Sequence, residues 1–392
     1  MLHWLTDRLT TDSSDRKQRG LFRSLTVAES AIDFTSNDYL GMGRSTRLHE
    51  QLTTAAADLT RNGATGSRLL AGHTYLADLV EDTLAQHYQA ESALLFNAGY
   101  MANLGLLSCL PQAGDTLLTD ELIHASLIDG ARLSKANRLR FAHNDLTDLE
   151  SKLRQATAQG GRIFVVVESL YSMDGDVASL PRIAALCTAF NAALLVDEAH
   201  ASGVYGPNGA GLVVAHGLQN QVLARVHTFG KALGVHGAAV LGPALLRTYL
   251  INTARSFIYT TALPPYDLLA IQLAHAQVAA QPERAAILHE RVAYFHQKSR
   301  QLAPDAGWLA SQSPIQGLVV PGNEAVRRVA ATAQSAGFDV RPIVSPTVAA
   351  GQERIRICLH TYNTETEIDG LVGVLAEAIS KATPISNVQH FH

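Results

Sequence analysis

The sequence predicts an α/β protein, with a large domain on a mainly parallel sheet and a smaller C-terminal α/β domain. Two apolar runs carry this, Arg162-Ile163-Phe164-Val165-Val166-Val167 and Ala192-Ala193-Leu194-Leu195-Val196. Unbroken runs of this kind are the pattern of strands covered on both faces. Between them Leu180 to Phe190 has helical spacing, opened by Pro181 at a first-turn position. Strand, helix, strand at this separation is a βαβ unit, and such units build parallel sheets. The chain has 392 residues, 47% of them hydrophobic, which is enough for two packed domains.

In chain order, residues 1–45 form an N-terminal arm, 46–280 the large domain and 281–392 the small one. From Thr46 onward short apolar runs alternate with helical patterns. Ala93 to Phe96, Arg225 to Thr228 and Ala238 to Leu241 are further strand candidates. At Leu263-Pro264-Pro265 the pattern turns to a long helix, Tyr266 to Ala280. In the smaller domain Gln316 to Val320 and Arg354 to Leu359 are predicted strands. Glu324 to Ala336, stopped by Gly337, and Glu365 to Lys381 are predicted helices.

Composition excludes several classes. A net charge of −4 with no basic tract gives nothing to follow a nucleic-acid backbone. Cys109, Cys187 and Cys358 are three, far apart and without a CxxC pair, so neither a disulfide framework nor a structural metal site is predicted. A reducing compartment fits them. The first twenty residues hold no signal-like apolar stretch, and no run reaches membrane-spanning length. The reading is a soluble, cytoplasmic protein.

In doubly wound sheets ligands sit beyond the carboxyl ends of the strands. Two groups fall there. Val196-Asp197-Glu198-Ala199-His200 brings an acid off a buried strand, and His227-Thr228-Phe229-Gly230-Lys231 brings a lysine into a glycine-bearing turn. A partly buried lysine has a lowered pKa and can form an imine with an aldehyde cofactor. An aspartate at the neighbouring strand end can keep a pyridine nitrogen protonated. Each feature has a plainer explanation: such a lysine is more often a solvated surface residue, and such an aspartate a helix cap. Asp197-Glu198-Ala199-His200 also spells a helicase box, but no GxxxxGK[ST] phosphate loop accompanies it. The GxGxxG of a nicotinamide dehydrogenase is missing too.

In combination the motifs are specific. Ser36-Asn37-Asp38-Tyr39-Leu40-Gly41, Gly66-Ser67-Arg68, His124-Ala125-Ser126-Leu127 and Ser172-Met173-Asp174-Gly175-Asp176 occur in that order. Asp197-Glu198-Ala199-His200, Thr228-Phe229-Gly230-Lys231 and Tyr259-Thr260-Thr261-Ala262-Leu263-Pro264-Pro265 follow. Over nearly its whole length the chain resembles the α-oxoamine synthase family of fold-type I pyridoxal-phosphate enzymes. The resemblance implies pyridoxal 5'-phosphate held by Lys231 as a Schiff base, with Asp197 on the pyridinium nitrogen and His200 on the phenolic oxygen. It implies cofactor contacts from Ser172 and Thr228, from the backbone of Gly99 and Tyr100 at the phosphate, and from Thr260 and Thr261. His124 is implied as the imidazole stacked on the ring. Arg23, Asn37, Thr347 and Arg356 match substrate-contacting positions, with Arg356 as the amino-acid carboxylate clamp. Alternation puts Arg354 and Arg356 on one strand face, so pattern alone does not choose between them; the family match favours Arg356.

The implied reaction joins L-alanine to pimeloyl-CoA or pimeloyl-acyl-carrier protein, with loss of CO2 and thiol, in a homodimer with composite active sites. A glycine-using or long-chain acyl serine synthase shares the same cofactor residues, and a fold-type I aminotransferase is a second class. A cofactor-binding regulatory protein is disfavoured by the intact set of Lys231, Asp197, His200 and His124.

Overall fold

The computed structural model describes residues 2–25, 27 and 31–382. The parts of the predicted arm and small domain at residues 1, 26, 28–30 and 383–392 lie outside the described residues.

Seven strands form the main sheet: β1 (Ser92–Phe96), β2 (Thr116–Asp120), β3 (Asn137–Phe141), β4 (Ile163–Glu168), β5 (Ala192–Asp197), β6 (Val222–Thr228) and β7 (Ala238–Gly242). Their spatial order is β1-β7-β6-β5-β4-β2-β3. The five strands from β6 to β3 run parallel; β7 is antiparallel to both its neighbours. Every residue of β4 is buried, as befits an apolar run, ended by Glu168, that is covered on both faces. Glu168 at the end of β4 is in register with Asp197 at the end of β5. Two acids therefore leave the sheet side by side at its carboxyl edge.

Helices cover the sheet. α1 (His3–Gln18) is an exposed helix of the arm; among the later helices are α2 (Tyr75–His87), α3 (Gly99–Cys109), α4 (Ala125–Leu133), α5 (Leu180–Ala189) and α6 (Pro265–Ala280). The predicted helix after Ser179 is α5, with its proline in the first turn. A second core lies among α7 (Glu283–Leu302), α8 (Asn323–Ser335), α9 (Glu365–Ala382) and a three-stranded antiparallel sheet. That sheet comprises β8 (Ile315–Val319), β9 (Arg341–Ile343) and β10 (Arg354–Cys358), in the order β9-β10-β8.

The arm ties the two cores together. Ile32–Asp33 pairs with Phe338–Asp339, while Tyr39, Leu40 and Met42 pack into the large core. Gly234, at φ +64° in the turn after Lys231, comes so close to Met42 and Gly43 that any Cβ there would strike their backbone. The lysine turn is thereby seated on the arm.

Candidate active site

The site is assembled at the carboxyl edge of β4, β5 and β6, under the N-terminus of α3. Ala98, the residue before α3, supplies no side-chain cap, so the first amides of the helix face the site without a protein partner of that kind. A Cβ on Gly99 would run into Thr228 Oγ1 at the end of β6, so glycine is required for this approach. Open helix-terminal amides beside a hydroxyl form an anion cradle with the donors a phosphate group takes. The Tyr100 side chain turns away to donate to Asp129.

Beyond the cradle stands Asp197, buried and doubly held. Asn103 of α3 donates to its Oδ2 at 2.6 Å, and the Ala199 amide donates to Oδ1 at 2.8 Å. Asn103 also donates to Ser126 Oγ at 3.0 Å, and Ser126 Oγ lies 2.7 Å from His124 Nδ1. His124 is thus oriented from behind, partly desolvated by these neighbours, while the residue keeps open surface. Burial draws its pKa below the ordinary value, and the charge on Lys231 adds to this against the pull of Asp197. The His124 backbone amide donates to Glu168 at 2.5 Å. Burial and the neighbouring Asp197 push the Glu168 carboxyl upward, toward its neutral form.

His200 is buried, and its Nδ1 lies 2.8 Å from Tyr39 Oη. Burial, with Lys231 and Arg356 nearby, holds it neutral well below the usual imidazole range. Lys231 is half-buried and has no hydrogen bond among the described residues. Burial brings its amine down to about 8, against the opposing pull of Asp197 and Glu168. The chemistry of this set fits pyridoxal phosphate: an amine that loses its proton readily, a held carboxylate, a neutral imidazole and an anion cradle.

The structure separates the two arginines of β10. Arg354 is buried and pairs with Asp174. Arg356 donates from Nε to the Ser172 carbonyl at 2.7 Å and from Nη2 to Asn37 Oδ1 at 3.0 Å, with Nη1 2.9 Å from Cys358 Sγ. Three of its five N–H bonds are spent, leaving one on each terminal nitrogen for a carboxylate. Its charge acts on Lys231 and His200.

Arg23 is exposed and has no hydrogen bond to the described residues, and Thr347 is exposed four residues after β9. Thr260 and Thr261 are anchored on Asn97, just before α3, at 3.4 Å to the Thr260 hydroxyl and 2.9 Å to the Thr261 carbonyl. Glu168, Asn103 and Ser126 were not foreseen as site residues. An acid closing a buried apolar run is the signal that picks out Asp197, and Glu168 carries the same one. Asn103 and Ser126 have no such signal, because only the packing of α3 on α4 aligns them.

Comparison with known proteins extends this. The aminotransferase class I and II family matches residues 29–375. An 8-amino-7-oxononanoate synthase of Emericella nidulans is 40% identical, over 95% of this chain and 95% of that one. Another, from Marinobacter nauticus, is 38% identical over 93% and 94%. Among solved structures, a serine palmitoyltransferase from S. paucimobilis with a bound PLP–myriocin aldimine superimposes with a TM-score of 0.88 at 26% identity, covering 97% of this chain and 99% of that one. The 8-amino-7-oxononanoate synthase of Francisella tularensis gives a TM-score of 0.77 at 28% identity, over 90% and 99%.

Proposed function

Because the chain belongs to the family of the 8-amino-7-oxononanoate synthases, within the class I and II aminotransferases of fold-type I, we propose that it condenses L-alanine with a pimeloyl thioester. It is a pyridoxal 5'-phosphate-dependent acyltransferase. The products of the proposed reaction are 8-amino-7-oxononanoate, CO2 and free thiol. The observation that carries the reading is the environment of Lys231: a half-buried amine beside Asp197 and Glu168, with the Arg356 guanidinium acting on the same space.

The cofactor, when bound, supplies an electron sink for the bonds broken at the amino acid's α-carbon. Everything else falls to the chain. The Gly99 and Tyr100 amides and the Thr228 hydroxyl hold the phosphate, with Thr260 and Thr261 closing it from a second copy. Asp197 holds a proton at the pyridine nitrogen, and Asn103 keeps the carboxylate aimed. His200 bonds the phenolic oxygen, Tyr39 fixing its other nitrogen. His124 covers the ring face, oriented by Ser126, and the half-buried Ser172 adds a polar contact. Arg356 grips the alanine carboxylate with its two remaining N–H bonds, and Asn37 holds the guanidinium in place. Lys231 removes the α-proton. The α-carbon then bonds to the thioester carbonyl carbon, thiol leaves with a proton, the carboxylate departs as CO2 and the carbon is reprotonated. Arg23 and Thr347 are the contacts proposed for the distal carboxylate of the acyl chain.

Steady-state kinetics test this with alanine, glycine and serine, each with pimeloyl-, acetyl- and palmitoyl-CoA, and with pimeloyl-acyl-carrier protein. Alanine with a pimeloyl donor is expected to give the highest kcat/KM. Excluding one methyl group is worth only about 1–3 kcal/mol, so some glycine turnover is compatible. Glycine with acetyl-CoA as the best pair would overturn the assignment.

A homodimer with composite sites belongs to the same proposal. Leu70, Tyr75 and Tyr259 are 84%, 83% and 71% exposed, and the Gly66 carbonyl binds the Ala262 amide, joining these segments. Large side chains this exposed support a face covered by another chain. Light scattering at micromolar concentration is expected to give twice the chain mass, and a fully active monomer is incompatible with this. A cytoplasmic setting is proposed because all three cysteines are free and buried. Among the described residues no helix is long and apolar enough to cross a membrane.

A further inference from the structure

One group of charges inside the molecule takes no part in the chemistry above. Asp120 ends β2, almost wholly buried, with its Oδ1 2.9 Å from His143 Nδ1. The other imidazole nitrogen lies 2.8 Å from Asp176 Oδ2. Asn144 adds its amide to Asp120 Oδ2 at 3.0 Å and its side chain to Asp176. The edge of the Tyr171 ring closes the remaining side, its centroid 4.4 Å from that of His143. A histidine with a carboxylate on each nitrogen is a double donor and must carry both protons. Burial works against that charge, but the bonds to Asp120 and Asp176 outweigh it and lift His143 to about 10. His143, Asp174 and Asp176 are close enough to surround a cation. Arg354 already sits on Asp174, however, and both imidazole nitrogens are taken, so the group is an ion-pair network.

The network grips a loop. The Tyr171 amide donates to the Asp176 carbonyl at 3.0 Å and the Gly175 amide to the Tyr171 carbonyl at 3.0 Å, closing residues 171–176 into a tight turn. On its other side the turn reaches the small domain. Ser311 donates to the Gly175 carbonyl at 2.8 Å, Asp174 pairs with Arg354, and the Ser172 carbonyl accepts from Arg356 Nε at 2.7 Å.

We propose that His143 is a positioning residue for the carboxylate clamp: by gripping Asp176 it fixes the 171–176 turn, whose Ser172 carbonyl sets the orientation of Arg356. The inference rests on the reading of Arg356 as the clamp. His143→Gln is neutral and offers its N–H bonds from a single nitrogen, so it cannot bridge carboxylates held on two separate ring nitrogens. In holoenzyme carrying this change, KM for alanine is expected to rise about tenfold or more, because a clamp displaced by an ångström loses much of its grip. KM for the thioester and the cofactor content, read by absorbance, should stay within about twofold. Asp176→Asn should give the same split. In an Arg356→Lys background the His143→Gln effect on alanine should disappear, since coupled residues are non-additive.

Additive effects in that double variant would overturn the role of His143 while leaving the clamp in place. An unchanged KM for alanine in Arg356→Lys alone would instead remove the clamp from the proposed function. Equal losses for both substrates, or failure of both His143→Gln and Asp176→Asn to fold, would reduce the network to a structural brace and refute the inference.

Discussion

Lys231→Ala is expected to abolish covalent capture of pyridoxal phosphate and to lower turnover by roughly a thousandfold or more, since one residue serves as both imine partner and proton carrier. Borohydride reduction of the unaltered holoenzyme followed by peptide mapping should find the pyridoxyl group on Lys231. Finding it on Lys135 or Lys152 would overturn the site. The pH dependence of capture is a further check. The neutral amine is the nucleophile, and burial brings its pKa down to about 8. Mixing apoprotein with cofactor should therefore give a capture rate that climbs about tenfold per pH unit below 8 and then levels, whereas an ordinary lysine would go on climbing to about 10.4. A rate still climbing at pH 10 would show the amine to be unperturbed.

Asp197→Asn is expected to keep the cofactor but lose about a hundredfold or more in kcat, the usual scale for removing a preorganised electrostatic partner. The Asp197 carboxylate accepts from Asn103 and from the Ala199 amide. An amide has a single oxygen, so it can satisfy only one of these donors, and its NH2 group must face the other or the ring nitrogen. The charge is lost as well. Asp197 opposes the depression of the Lys231 pKa, so the Lys231 titration should move to still lower pH in this variant. Near-normal turnover would remove Asp197 from the mechanism.

The parts of this arrangement that were legible in the sequence are those set by local pattern. β4 and β5 were readable because apolar runs buried on both faces leave no alternation to misread. Lys231 and Asp197 were readable because each leaves such a strand into a turn. The insertion of β7 between β1 and β6 was not, since its partners lie far off in the chain and no local signal reports a pairing direction. Arg354 and Arg356 share a face, and only their neighbours distinguish them: Asp174 claims the first, while Ser172 and Asn37 orient the second. Asn103 acts through helix packing, which spacing does not encode.

The seating of the lysine turn on the arm has a consequence for synthesis. Tyr39 meets His200 across 161 residues, and Asn37 meets Arg356 across 319. Contacts of such separation form late, after most loop-closure entropy has been lost. On the ribosome the cofactor-facing half of the site has all its residues well before β10 emerges, but the arm must wait beside it for the strand that completes the amino-acid end. With the roles proposed above, a nascent chain would hold its reactive lysine long before it holds the arginine that grips the substrate carboxylate.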